Sequence, residues 1–322
     1  MSLRVGYFPH NNSLFVLRHT GLLEQRLPDV TWVDLRDLPQ GDRPDIRSGL
    51  PTVHSDQLFA DGGYDVIGTG FTPPVTGLAH GRDLVYVGIS GPRLENGRLV
   101  VRADSDIRTV ADLVGRRVAL AHGSWQTTLV LFALADAGLS WSDIEPVDAS
   151  VSAGQQLVDG DVDAWVGSYP SLTDVEARTE LRTLVETDGL FSHPSLWFTR
   201  RDVADEQPEA LRAVIEALQE SDAWIAAQPR EAAQLFVDDA RSRSTRSDHF
   251  DRGADADLDA WEHALTARPW GVRPVDDAFL DEQQRAADLL HANGLLPIRV
   301  DVRSAVVPWI SEAVSATLTP ST

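Results

Sequence analysis

A histidine, two asparagines and a serine stand where the first apolar run of the chain meets an amphipathic segment. The run Leu3–Phe8 precedes them, and Leu14–Leu23 follows with helical spacing of its apolar residues. Imidazole transfers protons near neutral pH, and donors at a helix N-terminus bind anions. Helix capping is the alternative role for such residues. We predict proton transfer by one of these side chains and anion contacts by three: His10, and then Asn11, Asn12 and Ser13.

Three later junctions share this character. Each places hydroxyl, amide or aromatic side chains on a turn-prone backbone after an expected strand. Ligands of open α/β sheets bind beyond the carboxyl ends of the strands, so the four loops should converge. Capping would explain any one of them, whereas their recurrence favours an anion site with aromatic walls. The predicted ligand contacts are Thr69, Gly70, Phe71, Thr72, Gly123, Ser124, Trp125, Gln126, Ser168 and Tyr169.

His54 is the second predicted catalytic residue. It is followed by Ser55 and Asp56, either of which could orient its ring, and a surface-loop histidine is the alternative. His10, His54 and Asp56 would supply three metal ligands, but the chain lacks the His-x-x-x-His spacing of a helical zinc site, so no metal is predicted. His122 and His193 are interpreted as structural or rim residues.

The composition limits the classes of partner. The chain has 322 residues, of which 43% are hydrophobic and 24% charged, and this predicts a globular protein of two lobes. Its formal net charge of −21 repels phosphate backbones and anionic lipid, so nucleic acid is not an expected partner. A small organic anion must therefore be held by local donors. We expect a monomer without membrane insertion.

Two residue types are missing, and each excludes a kind of chemistry. The chain has no cysteine, which rules out thiolate nucleophiles and disulfides, and all 28 basic residues are arginines. Without lysine, pyridoxal phosphate has no side-chain amine for a Schiff base. We predict no cofactor. Because the first strand is expected within three residues of Met1, we expect a cytoplasmic protein, or a periplasmic or extracellular one if a leader has been removed.

Strand-like and helical segments alternate over the first two hundred residues, and helical segments follow. This order predicts an α/β fold of two lobes with parallel sheets and a helical C-terminal tail. The crossings between lobes are expected at Leu84–Gly91 and Leu196–Arg200. One lobe would then comprise residues 1–88 and 200–322, and the other residues 89–199. The predicted strands are Leu3–Phe8, Val30–Leu35, Tyr64–Gly68, Leu84–Ile89, Arg98–Arg102, Arg117–Leu120, Ile144–Val147 and Asp163–Gly167.

Six stretches support a resemblance to a known family: Arg4–Pro9, Tyr64–Gly68, Leu99–Ser105, Val110–Ala119, Gly123-Ser124 and Gly160–Ala164. The series resembles the taurine, sulfonate and nitrate solute-binding proteins of ABC importers, most specifically from Leu99 to Ala164. The resemblance implies a type 2 periplasmic-binding fold, a two-lobed clamshell that closes on a small organic anion.

A second resemblance, taken as the closer one, is to the bacterial 2'-hydroxybiphenyl-2-sulfinate desulfinases, which share this fold. It rests on Thr52-Val53-His54, Gly123-Ser124-Trp125, Gly160–Ala164 and Asn293–Leu296. In those enzymes a cysteine, a histidine and an arginine carry the chemistry. The resemblance places the histidine at His54, the cysteine position at His10 and the arginine position near Gly70.

Two functions follow from these resemblances. The first is an intracellular desulfinase-like enzyme, a lyase or hydrolase, that binds a sulfinate, sulfonate or aromatic or heterocyclic acid. It would use histidine acid–base chemistry without a cysteine nucleophile. The alternative is the solute-binding component of an ABC importer for a sulfonate-like or heterocyclic anion. The start of the chain favours the enzyme, and the missing nucleophile favours the binding protein.

Overall fold

The computed structural model describes residues 2–38, 50, 52–93, 97–149, 153–168, 171–242 and 257–318. Tyr169, one of the predicted ligand contacts, lies outside these ranges. No helix in the described part of the chain is long and apolar enough to cross a membrane.

Two five-stranded sheets form the centres of two lobes, as predicted. The first sheet has the order β2-β1-β3-β10-β4, and the second has the order β7-β6-β8-β5-β9. The strands are β1 (Arg4–Tyr7), β2 (Thr31–Asp34), β3 (Val66–Thr69), β4 (Leu84–Ile89), β5 (Gly97–Arg102), β6 (Arg117–Leu120), β7 (Glu145–Asp148), β8 (Ala164–Ser168), β9 (Leu181–Glu186) and β10 (Leu196–Arg200).

The sheets are mixed, so the expectation of parallel sheets was wrong. Strand β10 runs antiparallel to β3 and β4, and β5 runs antiparallel to β8 and β9. The reason is the double crossing, because the chain leaves the first sheet after β4 and re-enters it beside β4 at β10. Strand β10 lies in the first sheet, although residues 89–199 were assigned to the other lobe. The lobe boundaries themselves stay a proposal.

Helices cover both sheets and supply the predicted C-terminal tail. Asn11 caps the first, whose C-terminus is set by Gly21 at φ 70°, so the predicted segment Leu14–Leu23 forms two helices. They are α1 (Asn12–Thr20), α2 (Leu22–Arg26), α3 (Val53–Asp56), α4 (Thr72–Ala79), α5 (Trp125–Asp136), α6 (Ala153–Asp159), α7 (Ser171–Glu176), α8 (Arg201–Glu206), α9 (Pro208–Ala227), α10 (Pro229–Ser242), α11 (Leu258–Thr266), α12 (Asp277–Ala292) and α13 (Pro308–Leu318).

Helix α12 joins the two lobes. Its Gln283 side chain donates to the carbonyl of Phe71 at 3.1 Å in the first lobe, and Arg285 pairs with Asp136 of α5 at 2.6 Å in the second. On the same helix, the Glu282 carboxylate accepts from the backbone N–H of Ser192, in the returning crossing, at 2.8 Å. The C-terminal tail thus packs against both lobes and the connection between them.

A buried carboxylate ties three strands of the first sheet together. Asp65, 4% exposed, accepts from the backbone N–H of Arg4 at 2.8 Å and pairs with the guanidinium groups of Arg4 at 2.9 Å and Arg200 at 3.1 Å. Burial alone would raise the pKa of Asp65, but the hydrogen bonds from Arg4 and the charges of Arg4 and Arg200 hold it below its ordinary value. The start of β1 and the end of β10 therefore depend on one ionised side chain just before β3.

We expect Asp65→Asn to lower the free energy of unfolding by about 1–3 kcal/mol at pH 7, because two arginines lose a partner that is otherwise buried. Since its folded pKa lies below the unfolded value, the contribution of Asp65 is present at neutral pH and is lost as the pH falls through the folded pKa. Urea unfolding at pH 7 and pH 3 tests this. The control is Asp104→Asn, whose side chain is 78% exposed. Equal midpoints for Asp65→Asn and wild type at pH 7 would refute it.

Candidate functional site

The polar junction after β1 is folded into hydrogen bonds with the rest of its lobe. The Asn11 side-chain oxygen accepts from the backbone N–H of Leu14 at 3.0 Å, which is the capping role considered from the sequence. Asn12 donates to the carbonyl of Pro9 at 2.6 Å and accepts from the guanidinium of Arg268. The Ser13 hydroxyl faces the carboxylate of Asp222 on α9. The junction thus positions other polar groups besides capping α1.

Gly68, in β3, leaves room for two buried donors. A Cβ on this residue would lie 2.1 Å from Asn11 Nδ2 and 2.8 Å from Trp197 Nε1. Neither nitrogen has a hydrogen-bond partner among the described residues. Both side-chain N–H donors therefore lie against Gly68 in the sheet of the first lobe.

The two predicted catalytic histidines lie on the same aromatic ring. His10 is exposed, with its ring centroid 5.9 Å from that of Phe8, and His54 stacks on Phe8 at 5.5 Å. His54 belongs to the short helix α3, and its carbonyl accepts from the Tyr64 hydroxyl at 2.7 Å. The two imidazoles thus lie near the carboxyl end of β1, and their catalytic roles stay a prediction.

The second and third predicted loops meet where α4 and α5 begin. Thr72 donates from its hydroxyl to the carbonyl of Ser124 at 2.7 Å, and its hydroxyl lies 2.8 Å from that of Thr128. A Cβ on Gly70 would contact Trp125 at 3.3 Å. The structure therefore brings residues 69–72 and 123–126 together across the two lobes.

Several of the predicted contacts in these loops have local partners. The Thr69 hydroxyl donates to the carbonyl of Gly70 at 3.0 Å, and Phe71 is fully buried against Phe191 and Phe279 at 5.5 and 5.4 Å. Two more side chains shape the turn before α5: the Ser124 hydroxyl accepts from the N–H of Gln126 at 3.1 Å, and Gln126 Oε1 accepts from the N–H of Ala121 at 2.6 Å. Gly123 has φ 70°, which favours glycine.

The fourth predicted loop reaches the same place through Ser168. It pairs with Gly97 in the register between β8 and β5, and Trp125 packs against Gly97 so closely that a Cβ there would lie 2.3 Å from its ring. Trp125, half-buried, thus touches both lobes, and its role as a wall of the cleft stays a prediction.

Two arginines that sequence analysis missed lie at the centre of this region. Arg93 belongs to the outgoing crossing, where its backbone N–H donates to Ser192 of the returning crossing at 2.9 Å. Arg268 follows α11, in a loop that packs against the outgoing crossing: a Cβ on Gly91 would lie 2.7 Å from Pro269. Within the part of the chain that the structure describes, neither guanidinium forms a salt bridge with a carboxylate. We call these two groups the cation pair.

Burial and neighbouring charges change the pKa values of both guanidinium groups in the cation pair. Burial lowers the pKa of Arg93 to about 10, against an attraction from Asp222 that raises it. Burial lowers the pKa of Arg268 well below its usual value, and the charge of Arg93 lowers it further. Guanidinium groups nevertheless keep their proton in proteins. The charge of Arg93 lies close enough to Arg268 to affect its pKa, and two neighbouring positive charges without a carboxylate partner in the described chain favour an anion beside them.

His193, interpreted from the sequence as a structural or rim residue, lies between the cation pair and Trp125. It is fully buried and adopts φ 43° in the returning crossing, and its ring centroid lies 4.1 Å from that of Trp125 with the two rings tilted by 32°. Neither ring nitrogen has a hydrogen-bond partner among the described residues. Burial, followed by the charges of Arg93 and Arg268, holds the pKa of the His193 ring well below its ordinary value. A neutral imidazole there can donate one hydrogen bond to an anion.

One signal in the sequence could have indicated these residues. In a two-lobed protein the segments that connect the lobes run past the cleft between them. Arg93 and His193 lie within a few residues of the predicted crossings. Arg268 stands in Arg268-Pro269-Trp270-Gly271, a turn between helices, which gave no such signal. Among the described residues, no group of three His, Asp or Glu could hold a metal ion.

Comparisons with known proteins identify relatives over almost the whole chain. A family model described as NMT1/THI5 like matches residues 45–232. An Escherichia coli K12 protein named "Putative aliphatic sulfonates-binding protein" is 29% identical over 308 residues, covering 95% of this chain and 88% of that protein. The alkanesulfonate-binding protein SsuA from Xanthomonas axonopodis pv. citri, solved bound to MOPS, is 29% identical with a TM-score of 0.77, covering 95% of this chain and 98% of that one.

The crystal structure of the periplasmic SsuA from Escherichia coli gives 27% identity and a TM-score of 0.77, covering 97% and 99% of the two chains. The desulfurization enzyme DSZB gives 18% identity and a TM-score of 0.65 with 98% of each chain covered, which shows the fold alone. The expectation that the desulfinases are the closer relatives was therefore wrong. The short stretches that resemble the desulfinases make up a small part of the chain, whereas sequence identity over the whole chain is higher to the sulfonate-binding proteins.

We expect the His193 ring to stay neutral at pH 6.5, because burial and two neighbouring arginines disfavour its protonation. The measurement is histidine-ring NMR of the full chain from pH 8 to pH 5, with the His193 signal identified by its absence in His193→Asn, a residue that tolerates positive φ. Because the unfolded chain protonates this histidine near pH 6.5, its contribution to stability is lost as the pH falls below that value. The variant should therefore lose less stability than wild type between pH 7 and pH 5. A His193 titration midpoint near 6.5 would contradict the assignment.

Proposed function

This chain belongs to the NMT1/THI5-like family, and on that premise we propose that it is a solute-binding protein that holds a small organic sulfonate between its lobes for an ABC importer. The observation that carries the proposal is the cation pair, two enclosed guanidinium groups without a carboxylate partner in the described chain. Relatives that match 95–97% of this chain are named for binding sulfonates. This was the alternative function considered from the sequence.

A sulfonate fits this site chemically. It carries one negative charge and three acceptor oxygens, and guanidinium groups present planar pairs of N–H donors to such oxyanions. The cation pair supplies the charge, and the neutral ring of His193 supplies one further donor. Trp125 would cover the organic part of the ligand. Local donors of this kind can hold an anion against a net charge of −21, since distant surface charges are screened by salt.

The residues predicted from the sequence take supporting roles in this proposal. Asn12 and Ser13 hold Arg268 and Asp222 in place, and residues 69–72 and 123–126 form the contact between lobes on which closure would depend. His10 and His54 are proposed as contacts at the rim of the cleft. In place of the cytoplasmic location expected from the sequence, we propose a location outside the cytoplasm, as for the periplasmic relative. The monomer expected from the sequence stays a proposal.

We expect Arg93→Gln and Arg268→Gln each to weaken sulfonate binding by roughly 30- to 1,000-fold, about 2–4 kcal/mol, because each removes one charge from an enclosed site. Isothermal titration calorimetry with MOPS and short alkanesulfonates at pH 8 measures this. The matched control is Arg108→Gln, an exposed arginine of the second lobe, which should bind like wild type. Unchanged affinity in both cation-pair variants would place the ligand elsewhere.

The same proposal predicts that the protein binds sulfinates and sulfonates without cleaving them. The test is release of sulfite from 2'-hydroxybiphenyl-2-sulfinate, measured for wild type and for His10→Ala at matched concentrations. Sulfite should stay at the level of the protein-free blank in both. Release by wild type that falls roughly 10²-fold or more in His10→Ala would instead establish the desulfinase-like enzyme, with His10 as its acid or base.

A further inference from the structure

We propose that Asp222 makes this site selective for singly charged anions, so that it binds organic sulfonates and rejects doubly charged anions of similar shape such as sulfate. The inference rests on the proposed function and adds the charge class of its ligand. No residue that the sequence analysis selected supplies a negative charge here.

Asp222 is part of the scaffold that holds Arg268. It is fully buried on α9, its Oδ2 accepts from the backbone N–H of Gly271 at 3.1 Å, and the Ser13 hydroxyl faces it. Gly271 lies three residues after Arg268, and Ser13 follows Asn12, which accepts from Arg268. The carboxylate is therefore joined by short links to the same loop and the same helix N-terminus as that guanidinium.

Asp222 is not fully paired by these bonds. Its Oδ1 has no hydrogen-bond partner among the described residues, and the neighbouring Ser221 hydroxyl has none either. The charge that interacts with it is that of Arg93, which attracts it across the site without a salt-bridge contact. The negative charge of a buried carboxylate that lacks a salt-bridge partner is only partly neutralised. Its electric field therefore acts on a ligand that occupies the space beside Arg93.

The charges of the cluster leave one net positive charge. The cation pair contributes two, Asp222 removes one, and the buried His193 ring is neutral. A sulfonate would bring the enclosed cluster to neutrality. Sulfate would leave an uncompensated negative charge next to a buried carboxylate, which is strongly unfavourable in a poorly solvated site.

Burial raises the pKa of Asp222 to about 6, although Ser13, the Gly271 N–H and Arg93 all favour the ionised form. The carboxylate is therefore ionised at pH 8, and the experiment is done there. Methanesulfonate and sulfate are the probes, because both are compact tetrahedral groups that differ by one charge.

The full chain is titrated with each probe by calorimetry, as wild type and as Asp222→Asn, which has the same shape and can still accept from Gly271. Asp222→Ser is a second uncharged variant in case the amide disturbs the fold. Glu216→Gln is the matched control, an acid-to-amide change on the same helix at a side chain that is 57% exposed. We expect wild type to favour methanesulfonate by roughly 30-fold or more, and Asp222→Asn to reduce that preference at least tenfold, mainly by binding sulfate more tightly.

The outcomes separate this inference from the proposed function. If wild type binds methanesulfonate and sulfate equally, or if both uncharged variants keep the wild-type ratio, Asp222 does not set selectivity while the sulfonate site stands. If wild type binds no sulfonate at all, the proposed function fails and this inference fails with it. A changed ratio in Glu216→Gln as large as in Asp222→Asn would also overturn the assignment, since the effect would then come from net charge alone.

Discussion

The structure around the cleft depends on keeping two like charges enclosed where the chain passes between its lobes. Arg93 lies in the outgoing crossing and Arg268 in a loop packed against it, and neither has a carboxylate partner in the described chain. Enclosed guanidinium groups are costly unless surrounding groups orient them and an anion neutralises them. The polar side chains at the start of α1 meet the first requirement. A bound anion would meet the second.

The mixed sheets follow from the double crossing between the lobes. A chain that leaves one sheet and returns to it beside its point of exit must place β4 and β10 antiparallel, and this brings the crossings together. Helix α12 then contacts Phe71, Ser192 and Asp136, that is, both lobes and the crossing between them. Helix α12 thereby ties the two lobes and the returning crossing to one another.

The fold by itself does not separate a binding protein from an enzyme. Both the sulfonate-binding relatives and the desulfurization enzyme superimpose over nearly the whole chain, at TM-scores of 0.77 and 0.65. By the resemblance stated from the sequence, the cysteine position of the desulfinases falls at His10 and their arginine position near Gly70. The proposed binding of an anion by the cation pair would depend on charge and shape and would need no nucleophile.

The sequence alone determined the local elements and the fold class. Strands β4 and β6 have the bounds that their apolar patterns predict, and β10 has the bounds expected for the returning crossing, because short-range periodicity decides them. It also indicated residues 69–72 and 123–126, since strand ends converge in this fold. Only the tertiary structure assembled Arg93, His193, Asp222 and Arg268, which are far apart in the chain and share no motif. Their burial and mutual charges, which decide what they can bind, arise from packing between segments that are distant in the chain.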